Sequence, residues 1–154
     1  MNRILAITGM LLFIIPLTVS AQNYTSQRNQ MVENQIVKRG IKDPQVLKAM
    51  RTVKRHQFVP EHVRYKAYSD QPLPVGHEQT ISQPYIVALM TDYLNLKKGD
   101  KVLEVGTGSG YQAAILSEII TEVYSIEIIP ELAKRAKKTL KEQGYCNVHI
   151  KIGD

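Results

Sequence analysis

The sequence predicts a doubly wound α/β fold, a parallel sheet covered by helices, on three observations. The apolar run Val102-Leu103-Glu104-Val105 ends in alternating glycines, Gly106, Gly108 and Gly110, and turns helical at Gln112-Ala113-Ala114-Ile115-Leu116. Strand and helix patterns then alternate: strand 102–106, helix 110–118, strand 123–127, helix 130–143 and strand 147–152. Such alternation implies parallel strands joined by right-handed crossovers. Finally, Glu127 closes the second strand at roughly the 20-residue spacing from the glycines at which nucleotide-binding sheets place a ribose-binding acid.

Taken in order, residues 1–21 stand apart from the fold. Arg3 gives a positive start, Ile4 to Val19 is an apolar stretch containing Gly9 and Pro16, and Val19-Ser20-Ala21 is a small-residue cleavage site before Gln22. This is the pattern of a secretory signal peptide. The stretch is short for a membrane span and a proline interrupts it, so an uncleaved anchor is the lesser reading. Export predicts a periplasmic or secreted protein with no stable membrane association after cleavage.

Residues 22–100 read as a region of helices and loops. Tyr24 to Arg39 is a predicted helix carrying Met31, Val32, Ile36 and Val37, closed by Gly40. Asp43-Pro44 is an N-cap followed by a proline suited to a first helical turn, and it opens a short helix through Met50. From Arg55 to Pro84 periodicity is weak and Pro60, Pro72, Pro74, Gly76 and Pro84 interrupt the chain. A long segment of this kind inside a compact chain is more often functional than filler. Pro84 opens another helix, with Ile86, Val87, Met90, Tyr93 and Leu94 expected on its buried face, and Lys97-Lys98-Gly99-Asp100 turns into the next strand.

Residues 101–154 read as the first half of a cofactor domain. Pro130 fits the first turn of its helix and Gly144 the position just past its end. Leu132, Ala133, Ala136 and Leu140 form that helix's apolar face.

Composition narrows the function classes. Twenty Lys and Arg against fourteen Asp and Glu give a net charge of +6. That balance suits an acidic substrate, while the absence of basic blocks interleaved with aromatics argues against nucleic acid. Cys146 is the only cysteine, so no internal disulfide is expected, and it reads as a small packing residue. His56, His62, His77 and His149 show no metal-ligand spacing, and no metal site is expected.

The glycine spacing selects the ligand. The dinucleotide fingerprint is Gly-x-Gly-x-x-Gly, and Tyr111 stands at its third glycine. What remains is Glu-x-Gly-x-Gly-x-Gly, beginning at Glu104, the form found in S-adenosylmethionine-dependent, Rossmann-like methyltransferases. The expected cofactor-binding residues are therefore Glu104, Gly106, Thr107, Gly108, Ser109 and Gly110, with Glu127 accepting from the ribose hydroxyls.

Further motifs extend the similarity to a family. Arg39-Gly40-Ile41, His56-Gln57-Phe58-Val59-Pro60, Ala67-Tyr68, Gln79-Thr80-Ile81-Ser82-Gln83-Pro84-Tyr85 and Leu103 to Ala114 resemble the protein-L-isoaspartate (D-aspartate) O-methyltransferases over nearly all of residues 28–154. The resemblance implies methyl transfer from S-adenosylmethionine to the free α-carboxylate of isoaspartyl residues in aged proteins and peptides. The ester then closes to a succinimide that reopens as aspartate. It implies that Ser82 is the active-site serine, that Thr80 and Ser82 hold the carboxylate with Ile81 beside it, and that Asp154 lies near the adenine. His77 is close in sequence but reads as a solvated loop histidine.

Read from the residues alone, Ser82 is equally an N-cap, two positions before a helix-opening proline. The signal peptide departs from the family, whose members are cytoplasmic repair enzymes, which makes the cytoplasm the alternative location. In the family a fourth strand and a C-terminal half follow the position of Asp154. The sequence is therefore expected to be truncated after its third strand, with Val102–Val105 left as an edge. The 154-residue chain alone is expected to be poorly stable and inactive, and the full-length protein a monomer. Two further readings are a methyltransferase of RNA or a small molecule, and a truncated, non-catalytic module that binds S-adenosylmethionine or peptide.

Overall fold

The structure, a computed structural model, describes residues 19–154, with side chains from Tyr24 onward. The predicted signal peptide thus lies outside the described residues up to residue 18. Among the described residues no helix is long and apolar enough to cross a membrane.

The first helix, α1 (Val19–Met31), does not run unbroken to Arg39 as expected. It passes into a π-helical turn at Val32–Ile36 and a 3-10 turn at Val37–Arg39, closed by Gly40 at φ +97°. The predicted apolar residues still point inward: Met31, Val32 and Ile36 are buried. In α2 (Pro44–Thr52), Asp43 accepts hydrogen bonds from the backbone N–H groups of Gln45 and Val46 at 2.8 and 2.9 Å, the expected cap.

The weakly periodic segment holds more structure than its sequence suggests. It contains 3-10 turns at Arg55–Gln57 and Glu61–Lys66, then an antiparallel hairpin of β1 (Leu73–Gly76) and β2 (Gln79–Ile81). The hairpin turns through His77 and Glu78, both at positive φ, +52° and +58°. Such turns usually advertise themselves with Asn or Gly; His-Glu gives no such signal. In α3 (Pro84–Tyr93) the expected apolar face is corrected. Val87, Ala88 and Thr91 are buried, whereas Ile86, Met90, Tyr93 and Leu94 are 37–79% exposed. Both faces of this helix are apolar, and periodicity cannot choose between them.

The second part matches its predicted element order closely. Strands β3 (Lys101–Val105), β4 (Glu122–Glu127) and β5 (Val148–Ile152) form a parallel sheet in the order β3-β4-β5, joined through α4 (Tyr111–Ser117) and α5 (Pro130–Glu142). Leu132, Ala133, Ala136 and Leu140 are buried as expected. Val123 and Ser125 face the buried side, while Leu103, Val105 and Tyr124 alternate onto an open side, at 60%, 81% and 39% exposure. β3 is an edge, as anticipated. Cys146 is exposed and not packed: Gly144 turns the chain at φ +86° and carries Tyr145, not Cys146, against the core.

Candidate active site

The glycine loop leaves β3 where the parallel strands end. Gly106 and Gly108 sit at φ +92° and +55° with no atom within 4 Å of where a side chain would begin. Glycine is used there to let backbone approach a ligand. Gly110, at φ +85°, differs: an added Cβ would lie 3.2–3.3 Å from Leu140 and Ala136 of α5. The third glycine permits close packing of the two helices. Tyr111 follows it as the fully buried first residue of α4, edge-on to Phe58.

Two carboxylates support this loop from beneath. Glu127 is buried and accepts hydrogen bonds from Gly108 N–H at 2.7 Å and Ile129 N–H at 2.9 Å. It is therefore engaged with the loop itself, with lone pairs remaining for ribose hydroxyls. Glu104 points to the helix-covered side, where the Ser125 hydroxyl donates to it and pairs in turn with Thr107 Oγ1 at 2.6 Å. Burial raises the Glu104 pKa to about 7. Its position makes it a support under the loop. Ser109 is nearly buried, its Oγ 3.3 Å from Tyr111 N–H. Asp154 is exposed beside the end of β4, next to Gly153, whose N–H donates to the Glu127 carbonyl at 3.0 Å. The fit to an adenosine-bearing cofactor is good: open glycine backbone, a carboxylate under the loop with lone pairs to spare and an exposed acid alongside.

The predicted substrate residues fall on one strand and the loop that follows it. Thr80 and Ser82 are exposed, and Ile81 is buried in the core, paired with Leu73. Ile81 thus anchors the loop from below. Ser82 is not the helix cap. Gln83 holds that position, and no side chain caps the helix. The Ser82 hydroxyl is left exposed. His77 lies in the exposed hairpin turn.

Sequence reasoning missed the residue that joins these two halves. Arg55 is fully buried; its Nε donates to the Ala67 carbonyl at 2.8 Å and its Nη2 to the Ser82 carbonyl at 2.7 Å. Its guanidinium lies 4.7 Å over the Tyr111 ring. In the sequence Arg55 stands between Lys54 and His56-Gln57, so nothing local marks it as a buried residue. Other ties are Gln112 to Thr91 Oγ1 at 2.9 Å, and Arg135 of α5 to the Val75 carbonyl of the hairpin. Next to Arg55, His56 stacks on Tyr24 and bonds Tyr68 through Nδ1 at 2.8 Å; burial and nearby arginines lower its pKa to about 4. Among the described residues no group of three or more metal-ligating side chains comes together.

Residues 26–154 match the family model described as protein-L-isoaspartate(D-aspartate) O-methyltransferase. The protein-L-isoaspartate O-methyltransferase of Opitutus terrae is 62% identical over 130 residues, covering 84% of this chain and 56% of that one. That of Picosynechococcus sp. is 56% identical over 127 residues, covering 82% and 57%. The chain spans little more than half the length of these curated relatives. A solved protein-L-isoaspartate O-methyltransferase superposes with a TM-score of 0.72 at 29% identity, over 84% of this chain and 42% of that one. A Plasmodium falciparum structure described by the same activity, in complex with S-adenosyl-L-homocysteine, gives 0.70 at 26% identity over 82% and 62%. The expected Rossmann-like methyltransferase fold is the fold of this chain.

Proposed function

Belonging as it does to the protein-L-isoaspartate (D-aspartate) O-methyltransferase family, this chain, we propose, serves methyl transfer from S-adenosylmethionine to the free α-carboxylate of L-isoaspartyl residues in damaged proteins and peptides. The observation that carries this reading is the Ser82 hydroxyl, exposed and capping nothing, on a loop tied to the helix that follows the glycine loop. S-adenosylmethionine supplies a sulfonium-activated methyl group and, once a carboxylate oxygen has taken it, leaves as S-adenosylhomocysteine.

Since the substrate carboxylate is already a nucleophile, no protein base is required and Ser82 forms no covalent bond. The residues contribute placement, which alone can lower a barrier by several kcal/mol. Gly106 and Gly108 admit the cofactor to the backbone, Glu127 accepts from its ribose, and Asp154 stands toward the adenine. Thr80 and Ser82 present hydroxyls to the carboxylate on a strand that Ile81 anchors. Glu104, Thr107 and Ser109 hold the loop's shape from inside, and Gly110 its packing. When full length, the protein acts as a monomer and without nucleic acid. Its leader pattern supports export to the periplasm or beyond, which cell fractionation with a C-terminal tag tests: a full-length, uncleaved protein in the cytosol would overturn it.

The test of function is transfer of labelled methyl by the full-length protein to an isoaspartyl peptide, with the aspartyl peptide and RNA as controls. Ser82→Ala should lower turnover on the order of 100-fold and leave the melting temperature unchanged, because no cap is lost. Equal labelling of the aspartyl peptide would overturn the substrate, and an unaltered rate in Ser82→Ala would overturn the role of the serine. Binding of S-adenosylhomocysteine without transfer would favour the alternative of a non-catalytic binding module.

A further inference from the structure

Arg55 is a buried cation whose surroundings call for an explanation. No carboxylate pairs with it among the described residues, and burial presses its pKa below the usual arginine value. A charge placed in a protein interior without a counter-ion is unfavourable unless its donors are well used. Two of them serve carbonyls of irregular chain, Ala67 and Ser82, while Nη1 is buried with no partner. The planar fork also lies over Tyr111, an arrangement lysine cannot reproduce.

The bond to Ser82 has a geometric consequence. The described chain has no cis peptide, so the carbonyl and N–H of the Ser82–Gln83 unit point in opposite directions. With its carbonyl turned inward to Arg55, the unit turns the Gln83 N–H outward. That N–H has no backbone acceptor among the described residues. Pro84 follows and offers no donor of its own, so this N–H and the exposed Ser82 hydroxyl are adjacent donors at the head of α3. The inward charge polarises the same peptide unit, which strengthens its outward donor.

We propose that Arg55 is a positioning residue for the methyl-transfer site, fixing the Ser82–Gln83 peptide unit so that the Gln83 N–H and the Ser82 hydroxyl together receive the substrate carboxylate, while its stack on Tyr111 registers that loop to the cofactor-binding helix. The inference rests on the methyl-transfer reading above. Arg55 touches no reacting atom and acts through the backbone of Ser82.

The test compares the full-length protein with its Arg55→Lys variant, which keeps the charge and loses the fork, by hydrogen–deuterium exchange, S-adenosylhomocysteine titration and methyl transfer to an isoaspartyl peptide. Exchange across residues 79–86 should accelerate about tenfold while residues 111–117 change little. The S-adenosylhomocysteine Kd should stay within about twofold. Peptide kcat/KM should fall about tenfold, chiefly through KM. Unchanged exchange at 79–86 overturns the proposal, as does accelerated exchange with unaltered KM and kcat. If the unsubstituted full-length protein transfers no methyl, the functional reading fails by itself, and the exchange comparison together with isoaspartyl-peptide titration still decides for or against Arg55. Should Arg55→Lys not fold, Arg55→Gln, which is neutral and able to serve one carbonyl, is read by the same measurements.

Discussion

Burial raises the carboxyl of Glu104 to a pKa of about 7 from an ordinary 4.5; the Ser125 hydroxyl pulls the other way, and nearby Glu127 adds to the rise. The folded chain therefore favours its protonated form. The stability this contributes is fully present below pH 4.5 and is lost as pH rises through 7. Glu104→Gln, permanently neutral, should match the parent near pH 4.5 and exceed it at pH 8 by on the order of 1–3 kcal/mol. Urea melts of both proteins at the two pH values check this. His56 acts in the opposite sense, with a pKa lowered to about 4, and cancels in the comparison. A second pair isolates packing from backbone strain. Gly110 and Gly144 have nearly the same φ, +85° and +86°, but only Gly110 would press a new Cβ against Leu140 and Ala136. Gly110→Ala should cost at least about 1 kcal/mol more than Gly144→Ala by the penalty of overpacking; equal losses would show that α5 yields freely. The loop was legible because glycine spacing and a strand-end acid are local signals. Arg55 was not, since nothing in the sequence states that its partners are the carbonyls of Ala67 and Ser82, 12 and 27 residues away.

Among the elements, α2 has the simplest test. Asp43 caps it through two backbone N–H groups, and Asp43→Ala should destabilise the chain by about 1 kcal/mol, measured by thermal melt; an unchanged midpoint would mean the proline alone sets the helix start. Elements with strong punctuation were read correctly: Pro130 and Gly144 bracket α5, and Asp43-Pro44 opens α2. Those set by tertiary context were not. The hairpin of β1 and β2 turns on His77 and Glu78, which carry no turn signature, and α1 gives way at Val32 to a π-helical turn whose Val32 and Ile36 are buried. α3 offers apolar residues all round, so its burial is decided by what lies beside it.

At the scale of the molecule, the described residues leave one side of the parallel sheet open. Leu103 and Val105 stand exposed on an edge strand, and apolar edges template pairing between chains. For residues 22–154 expressed alone, size-exclusion chromatography should show concentration-dependent association, and Val105→Lys should reduce it while shifting stability by less than about 0.5 kcal/mol; a segment monodisperse at high concentration would contradict this. That the helices cover one side and leave the other open follows from crossover handedness, which alternation of elements implies but does not display. The packing of Tyr111 against Phe58, and its hydroxyl contact with Met50, carries a consequence in time. A ribosome releases residues in order, so Met50 and Phe58 emerge well before the aromatic ring that packs on them. The sheet itself can zip as it appears, each strand meeting its immediate predecessor across a short crossover. α2 and α3, on which the N-terminal turns pack, must instead wait for α4. Nascent chains arrested before Tyr111 should be readily cut by protease between residues 24 and 60, and chains that have released residues through Leu116 should resist.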